Sequence, residues 1–300
     1  MESFAFSHQL LQFMVTGLTV GAIYAMVAIG FNIIYNVTEV LNLAQGEFVM
    51  LGGLVMVFIH VSLGLPLVIA FAATVLVVTV VGVLLDRLAI RPVRQPTVMA
   101  LIIATVAASM IIKGGAMLIW GKNPYDLPAF SGREPIVVGG LVLQSQYLWV
   151  IGFLVIIAIA LALFFNRTIL GKAMRACADN GDAARLVGIN VRQMVLLAFG
   201  VSAAIGAVAG ITLTPIALMD YDRGAMLAIK GFAAAILGGL GSFPGAILGG
   251  VILGLIESFG AGFLMSGYKD AYALIVLLLV LFVRPSGILG SMAVARFKRF

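Results

Sequence analysis

Residues 171–190 read GKAMRACADNGDAARLVGIN, a short charged segment set between long apolar runs. At helical spacing Lys172, Arg175, Asp179, Asp182 and Arg185 make one stripe, and Leu170, Ala173, Met174, Cys177, Ala184 and Val187 make another. The segment therefore reads as one amphipathic helix. Arg175 stands four residues before Asp179 and Asp182 three before Arg185, but exposed pairs of this kind contribute only about 0.2–0.5 kcal/mol each and do not hold a helix alone. The apolar stripe is shallow and poor in the large residues that insert at a lipid surface. It suits docking in a protein cleft, and spacing alone fits equally well a solvated connection between two membrane spans.

The flanks decide what kind of chain carries this segment. Of 300 residues, 63% are hydrophobic and 10% charged, far from the roughly 45–50% and 25% of soluble domains. Runs long enough for a hydrocarbon core of about 30 Å recur along the chain. They are placed at residues 10–35, 48–65, 66–90, 97–120, 147–165, 194–218, 226–240, 244–264 and 271–283. The second, seventh and eighth are short or glycine-rich, and one of them reads as entering the membrane and returning. The expectation is an all-α, polytopic membrane protein of eight to nine transmembrane helices, some broken or re-entrant, forming a single domain over 1–300.

MESFAFSHQLLQ carries no Lys or Arg before the first run, so it lacks the basic n-region of a cleavable signal and reads as a retained span. Twelve of the 18 basic residues fall in three places: Arg87, Arg91 and Arg94; Arg167, Lys172, Arg175, Arg185 and Arg192 in the loop 167–192; and Arg284, Arg296, Lys298 and Arg299. Nine traverses put all three on one side, which the positive-inside rule makes cytoplasmic, with the N-terminus outside and the C-terminus inside. Trp120, Tyr125, Tyr147, Trp149, Tyr221, Tyr268 and Tyr272 fall towards the other side, as an interfacial belt does. The segment 121–146 between spans contains PIVVGGLVLQ, two β-favouring runs joined by Gly139-Gly140, a short hairpin signal on the outer face.

Several function classes lose their footing. The net charge of +6 is dispersed among loops rather than gathered with stacking aromatics, which argues against nucleic acid. Cys177 is the single cysteine, leaving no intrachain disulfide or thiolate cluster. His8 and His60 belong to no HExxH, and neither a GxxxxGK[ST] phosphate loop nor a GxSxG elbow occurs. No catalytic residue, metal or cofactor is expected, and any ATP must be handled by partners.

Two places break the apolar runs with polar or glycine-rich sequence, which membranes tolerate only inside protein or beside a water-filled cavity. The first is NVTEVLNLAQGE, residues 36–47, where Asn42, Gln45, Gly46 and Glu47 lead into the second span. The second is residues 231–250, where Gly238, Gly239, Gly241 and Gly245 surround Pro244. Both are candidate walls of a translocation path; the alternatives are an interfacial turn for the first and close helix packing for the glycines, as with Gly17/Gly21 and Gly245/Gly249. Lys113 and Glu257 lie inside runs near the outer boundary, where they can snorkel or pair with each other.

Three stretches together resemble one family, the permease subunits of ABC importers for branched-chain amino acids of the LivH type, over nearly the whole chain. Gly17, Gly21, Tyr24, Ala25, Gly30, Asn42, Ala44, Gly46, Glu47 and Met50 carry the first stretch. Gly171, Arg175, Ala176, Asp179, Ala183, Gly188 and Ile189 match the coupling-loop motif in the second. KGFAAAILGGLGSFPGAILGGVILGLIE, residues 230–257, and RPSGILG, 284–290, complete it. The chain departs from many relatives at Gln45, where they have His, and at Asn32, where they have a second aromatic; importers of urea and short amides use similar permeases. The resemblance implies a bacterial inner-membrane subunit that pairs with a second, related permease. Two cytoplasmic ATPase subunits would grip the coupling segments, and an extracytoplasmic binding protein would deliver the substrate. An ion-coupled carrier relying on Glu47 and Glu257, and a structural membrane subunit with no pathway, are the readings from other classes.

Overall fold

The computed structural model describes residues 2–94, 97–132, 134–138, 141–264, 266–284 and 286–290. Its elements run α1 (Glu2–Thr38), α2 (Gln45–Val57), α3 (Leu67–Leu85), α4 (Val98–Trp120), β1 (Ile136–Val138), β2 (Leu141–Leu143), α5 (Ser145–Arg167), α6 (Ile169–Asp179), α7 (Gly181–Leu186), α8 (Val191–Leu213), α9 (Arg223–Gly238), α10 (Phe243–Phe263) and α11 (Lys269–Val283). Single π-helical turns extend α2 over Phe58–Ser62 and α3 over Asp86–Ile90. Eight helices among the described residues are long and apolar enough to cross a membrane. The remaining segment expected from the sequence, the seventh at 226–240, is α9, which has 16 residues. At about 1.5 Å per residue it spans some 24 Å, short of a full crossing.

The bundle has two chemically distinct ends. Arg87, Arg91, Arg167, Arg192 and Arg284 all lie at helix boundaries of one end, called here the basic end, together with α6 and α7. Trp120 closes α4 at the other, Trp149 stands in the first turns of α5, and β1 and β2 pair there antiparallel, Ile136 opposite Leu143. Gln12 Nε2 of α1 donates to the Val142 carbonyl at this hairpin end, 3.1 Å away. The chain thus starts at the hairpin end and reaches residue 290 at the basic end. The two-strand signal is realised; its Gly139-Gly140 turn, and Arg296, Lys298 and Arg299, lie outside the described residues.

The core is α1 sandwiched by α8, α9 and α10, with α2 buried along its whole length. Small residues make that possible. A Cβ on Gly254 would collide with the Gly21 backbone, one on Gly249 with Ala234 and Gly238, and one on Gly245 with Gly238, so these glycines let backbones touch as small-residue seams do in membranes. By contrast α4 packs on few elements and leaves Met99, Ile103, Met110, Ile111 and Leu118 exposed.

Buried charge sets the register inside this seam. Lys230 Nζ of α9 lies 2.8 Å from Glu257 Oε1 of α10, 2.9 Å from the Tyr24 hydroxyl of α1 and 2.5 Å from Asp270 Oδ1 of α11. Tyr24 in turn donates to Glu257 Oε2 at 2.8 Å. Lys230 and Glu257 side chains are each 8% exposed. The pairing of Lys113 with Glu257 expected from the sequence is therefore corrected: Lys113 pairs with Asp222, and Glu257 is consumed inside the bundle. Removing one member of such a pair strands the other's charge in a low-dielectric interior at a cost of about 3–5 kcal/mol. Glu257→Lys and Lys230→Glu are each expected to lower the thermal unfolding temperature of the detergent-purified protein sharply, and the double exchange to recover most of the loss. Exchanging Lys113 with Glu257 should recover none.

Candidate functional site at the buried start of helix α2

After α1 ends at Thr38, the chain turns at Glu39, whose φ is +56°, and re-enters the bundle as an irregular strand of residues 39–44. Its polar backbone needs partners at that depth. Thr105 Oγ1 of α4 accepts from Leu43 N at 3.2 Å, Asn42 Oδ1 accepts from Ala44 N at 3.2 Å, and Thr38 Oγ1 accepts from Val40 N. Helix α2 then begins inside the protein rather than at a membrane face. Gln45 meets Ser202, the middle residue of α8, and Glu47 meets Ser109, the middle residue of α4.

Each sequence-predicted residue of this stretch has a distinct environment. Gln45 is fully buried: the single Ser202 hydroxyl proton is shared between its Oε1 at 2.6 Å and the Gly30 carbonyl at 2.8 Å, while Gln45 Nε2 donates to the Ser202 carbonyl. It is a latch among α1, α2 and α8. A Cβ on Gly46 would run into the Gly224 carbonyl, so α2 and α9 touch backbone to backbone there. Glu47 is 1% exposed; Ser109 Oγ donates to its Oε1 at 2.9 Å, and its Oε2 has no hydrogen-bond partner among the described residues. That second oxygen lies against Gly224, in the first turn of α9, where Asp220 Oδ1 already accepts from the Asp222 and Arg223 N–H groups and leaves those of the next residues without a side-chain cap. A helix start with free N–H groups carries partial positive charge that favours a carboxylate. Lys113, one turn beyond Ser109 on α4, pairs with Asp222 and stands 5.8 Å from the centre of the Tyr221 ring. The arrangement is an acidic acceptor with one free oxygen, bordered by a cation and a helix start, at half the height of the bundle. It can take an ammonium group on Glu47 and a carboxylate beside Lys113 and α9.

The glycines of the other interrupted segment sit elsewhere. Gly238, Gly239 and Gly241 form the corner between α9 and α10 at the basic end; Ile288 and Leu289 donate their N–H groups to the Leu237 and Gly238 carbonyls. Asn32 Nδ2 donates to the Ser242 carbonyl and Asn32 Oδ1 accepts from Gly241 N, and Asn36 Nδ2 donates to the Gly241 carbonyl. Asn32 therefore serves a helix corner, and the structure does not bring these glycines together with Glu47.

The basic segment 171–190 is two helices, not one, which corrects the sequence reading. Asn180 adopts an extended backbone and accepts with Oδ1 from Asp182 N and Ala183 N, capping α7 where α6 ends. Met174, Cys177 and Ala184 turn into the bundle, Gly171 packs against the end of α5 where a Cβ would strike the Phe164 carbonyl, and Ala176 and Ile189 are half-buried. Burial pushes the Cys177 thiol up from its ordinary pKa. Arg175, Asp179, Ala183 and Gly188 remain exposed; Arg175 hydrogen-bonds Asn166 at 3.1 Å. Gly188 holds φ +87° after α7, a conformation L side chains rarely adopt. Leu186 and Val187, 90% and 76% exposed, project from the same turn; Leu186 was missed from sequence, although its place beside Gly188 at a helix end marks it. Two more places carried a signal in the sequence: Thr105 and Ser109 precede Lys113 at four-residue steps on one face of an apolar helix, and Lys230 is a charge inside an apolar run.

The described geometry meets its relatives at this point. A family model described as the permease component of branched-chain amino acid transport systems matches residues 13–284. The high-affinity branched-chain amino acid transport permease BraD of Pseudomonas aeruginosa is 37% identical over 296 residues, covering 93% of this chain and 95% of that one. LivH of Escherichia coli K12, a permease of the same description, is 35% identical over 297 residues with the same coverage. With one family spanning the re-entrant strand, the paired basic-end helices and the glycine corner alike, the chain belongs to the branched-chain amino acid transport system permeases.

Proposed function

We propose that this chain is the membrane-spanning permease subunit of an ATP-driven importer for branched-chain amino acids. The observation that carries the reading is the likeness to branched-chain permeases across residues 13–284. The chain forms half of the path and a second, related permease the other half. An extracytoplasmic binding protein hands over the substrate at the hairpin end, and two ATPase subunits hold the α6–α7 pairs at the basic, cytoplasmic end. The chain lies in the bacterial inner membrane with its N-terminus outside. Relatives do not favour a urea or amide importer, and an ion-coupled carrier loses one of its two intramembrane carboxylates to Lys230.

The mechanism follows from what is rigid and what protrudes. Helix α6 buries Met174 and Cys177 and packs on α1, α5 and α8, so a push on the exposed α7 turn is delivered to the helices that carry Ser202 and Gly30. Those residues hold Gln45 and hence the start of α2. An ATPase that binds the two positions of α7 with different affinity shifts the bundle between two states. On the path, Glu47 Oε2 takes the ammonium group of the amino acid in one of them.

Three outcomes test this. Purified in mild detergent, the chain is expected to bring two ATPases and a second permease; Gly188→Trp and Asp179→Arg should insert normally yet lose substrate-stimulated ATPase activity and uptake, and a chain that purifies alone refutes the reading. Glu47→Gln should raise the transport KM about ten-fold or more, the scale of a lost hydrogen bond to a charged group, with assembly intact. A membrane-impermeant maleimide should label Gly188→Cys only from the cytoplasmic side and leave the buried, poorly ionised Cys177 unmodified.

A further inference from the structure

Between the basic ends of α1, α4 and α8 lies a cavity of about 610 Å³ whose walls do not include the Glu47 cluster. Arg91, Arg94, Arg185 and Arg192 stand on its walls, against a single carboxylate, Asp86. Arg91 binds Asp86 at 2.7 Å and Arg185 binds Asp182 at 3.2 Å. Arg94 and Arg192 have no acidic partner among the described residues. Deeper in, the lining turns apolar with Ile34, Leu101, Val195 and Phe199. Phe199 stands eight residues inside α8, so the cavity reaches about 12 Å from the helix end towards the hydrocarbon. Asn42, 1% exposed, contributes to the wall with an Nδ2 that finds no acceptor among the described residues.

We propose that this cavity is a binding site for one anionic phospholipid, its phosphate held by Arg94 and Arg192 and the upper part of an acyl chain lying along Leu101, Val195 and Phe199. The charge excess at helix ends and the apolar depth belong to one amphiphile: a free anion has no use for 12 Å of greasy wall, and an uncharged lipid none for two unpaired arginines. Basic pockets between membrane helices select anionic headgroups for this reason. Asn42 Nδ2 supplies a donor for a glycerol or ester oxygen. The chain's own residues 291–300, with Arg296, Lys298 and Arg299, have the wrong charge to fill it. Because Arg94 lies between α3 and α4 and Arg192 opens α8, the bound headgroup ties the α3–α4 connection to the helix that follows α7.

The test needs no transport assay, so it stands or falls apart from the importer reading. The protein, with its copurifying subunits, is placed in nanodiscs of phosphatidylcholine alone or of equal parts phosphatidylcholine and phosphatidylglycerol, and lipid retained after release is read by native mass spectrometry. Wild type should retain phosphatidylglycerol and unfold at higher temperature in the mixed discs. Arg94→Gln and Arg192→Gln should each lower retention about five-fold, and Arg94→Lys with Arg192→Lys should keep it. Equal retention by the Gln variants overturns the proposal. So does glycerol phosphate in phosphatidylcholine discs giving the same stabilisation, which would assign the cavity to a soluble phosphate ester.

Discussion

The ion cluster of Lys230, Glu257, Tyr24 and Asp270 is the constraint on which the rest of the bundle depends. In hydrocarbon no water can solvate a mis-set charge, so an ammonium on α9 must find its carboxylate on α10 and its phenol on α1 in one register. That register brings Gly254 onto Gly21 and Gly249 onto Ala234. Dispersion between close backbones then does what hydrophobic burial cannot do between helices already in lipid. Specificity comes from the charges and close packing from the glycines, and neither works at another alignment.

A second demand shapes the site. Once α1 leaves the bundle and the chain turns back in, residues 39–44 must satisfy their backbone without a helix. Thr105, Asn42 and Thr38 supply those bonds, and Gln45 clamps onto Ser202 and Gly30. The consequence is a helix that starts at mid-height with Glu47 in its first turn, facing the start of α9. Polar chemistry is placed at the centre of the membrane by an irregular strand that only the surrounding helices make affordable. From there the route to the basic end is short: α8 carries Ser202 at its middle and directly follows α7 in the chain, so the exposed α7 turn and the buried latch are joined through one helix.

Much of this was legible in the residues. Apolar runs, their flanking charges and the aromatic girdle gave the helix order and the two ends, because hydrophobic length and interfacial preference are properties of short windows. Helix α9 was counted among the spans, though noted as short, because its apolar run does not record the turn at 214–222, after which the helix starts beside Glu47. The segment 171–190 was read as one helix because the stripe continues across Asn180; an Asn side chain at that place satisfies the N–H groups of Asp182 and Ala183 better than a continuing helix does. Gln45 was grouped with Glu47 by proximity in sequence, yet one is a saturated latch and the other keeps an oxygen free.

The sequence by itself determined that this is a polytopic membrane permease and where its exposed charged segment lies, since composition, periodicity and motif spacing are written locally. Only the tertiary structure decided that Glu257 belongs to Lys230 and Lys113 to Asp222, that residues 42–47 lie at mid-height, and that four arginines share one cleft. Those pairings join positions 27 and 109 residues apart, and a charge carries no record of its partner until packing has chosen the distance.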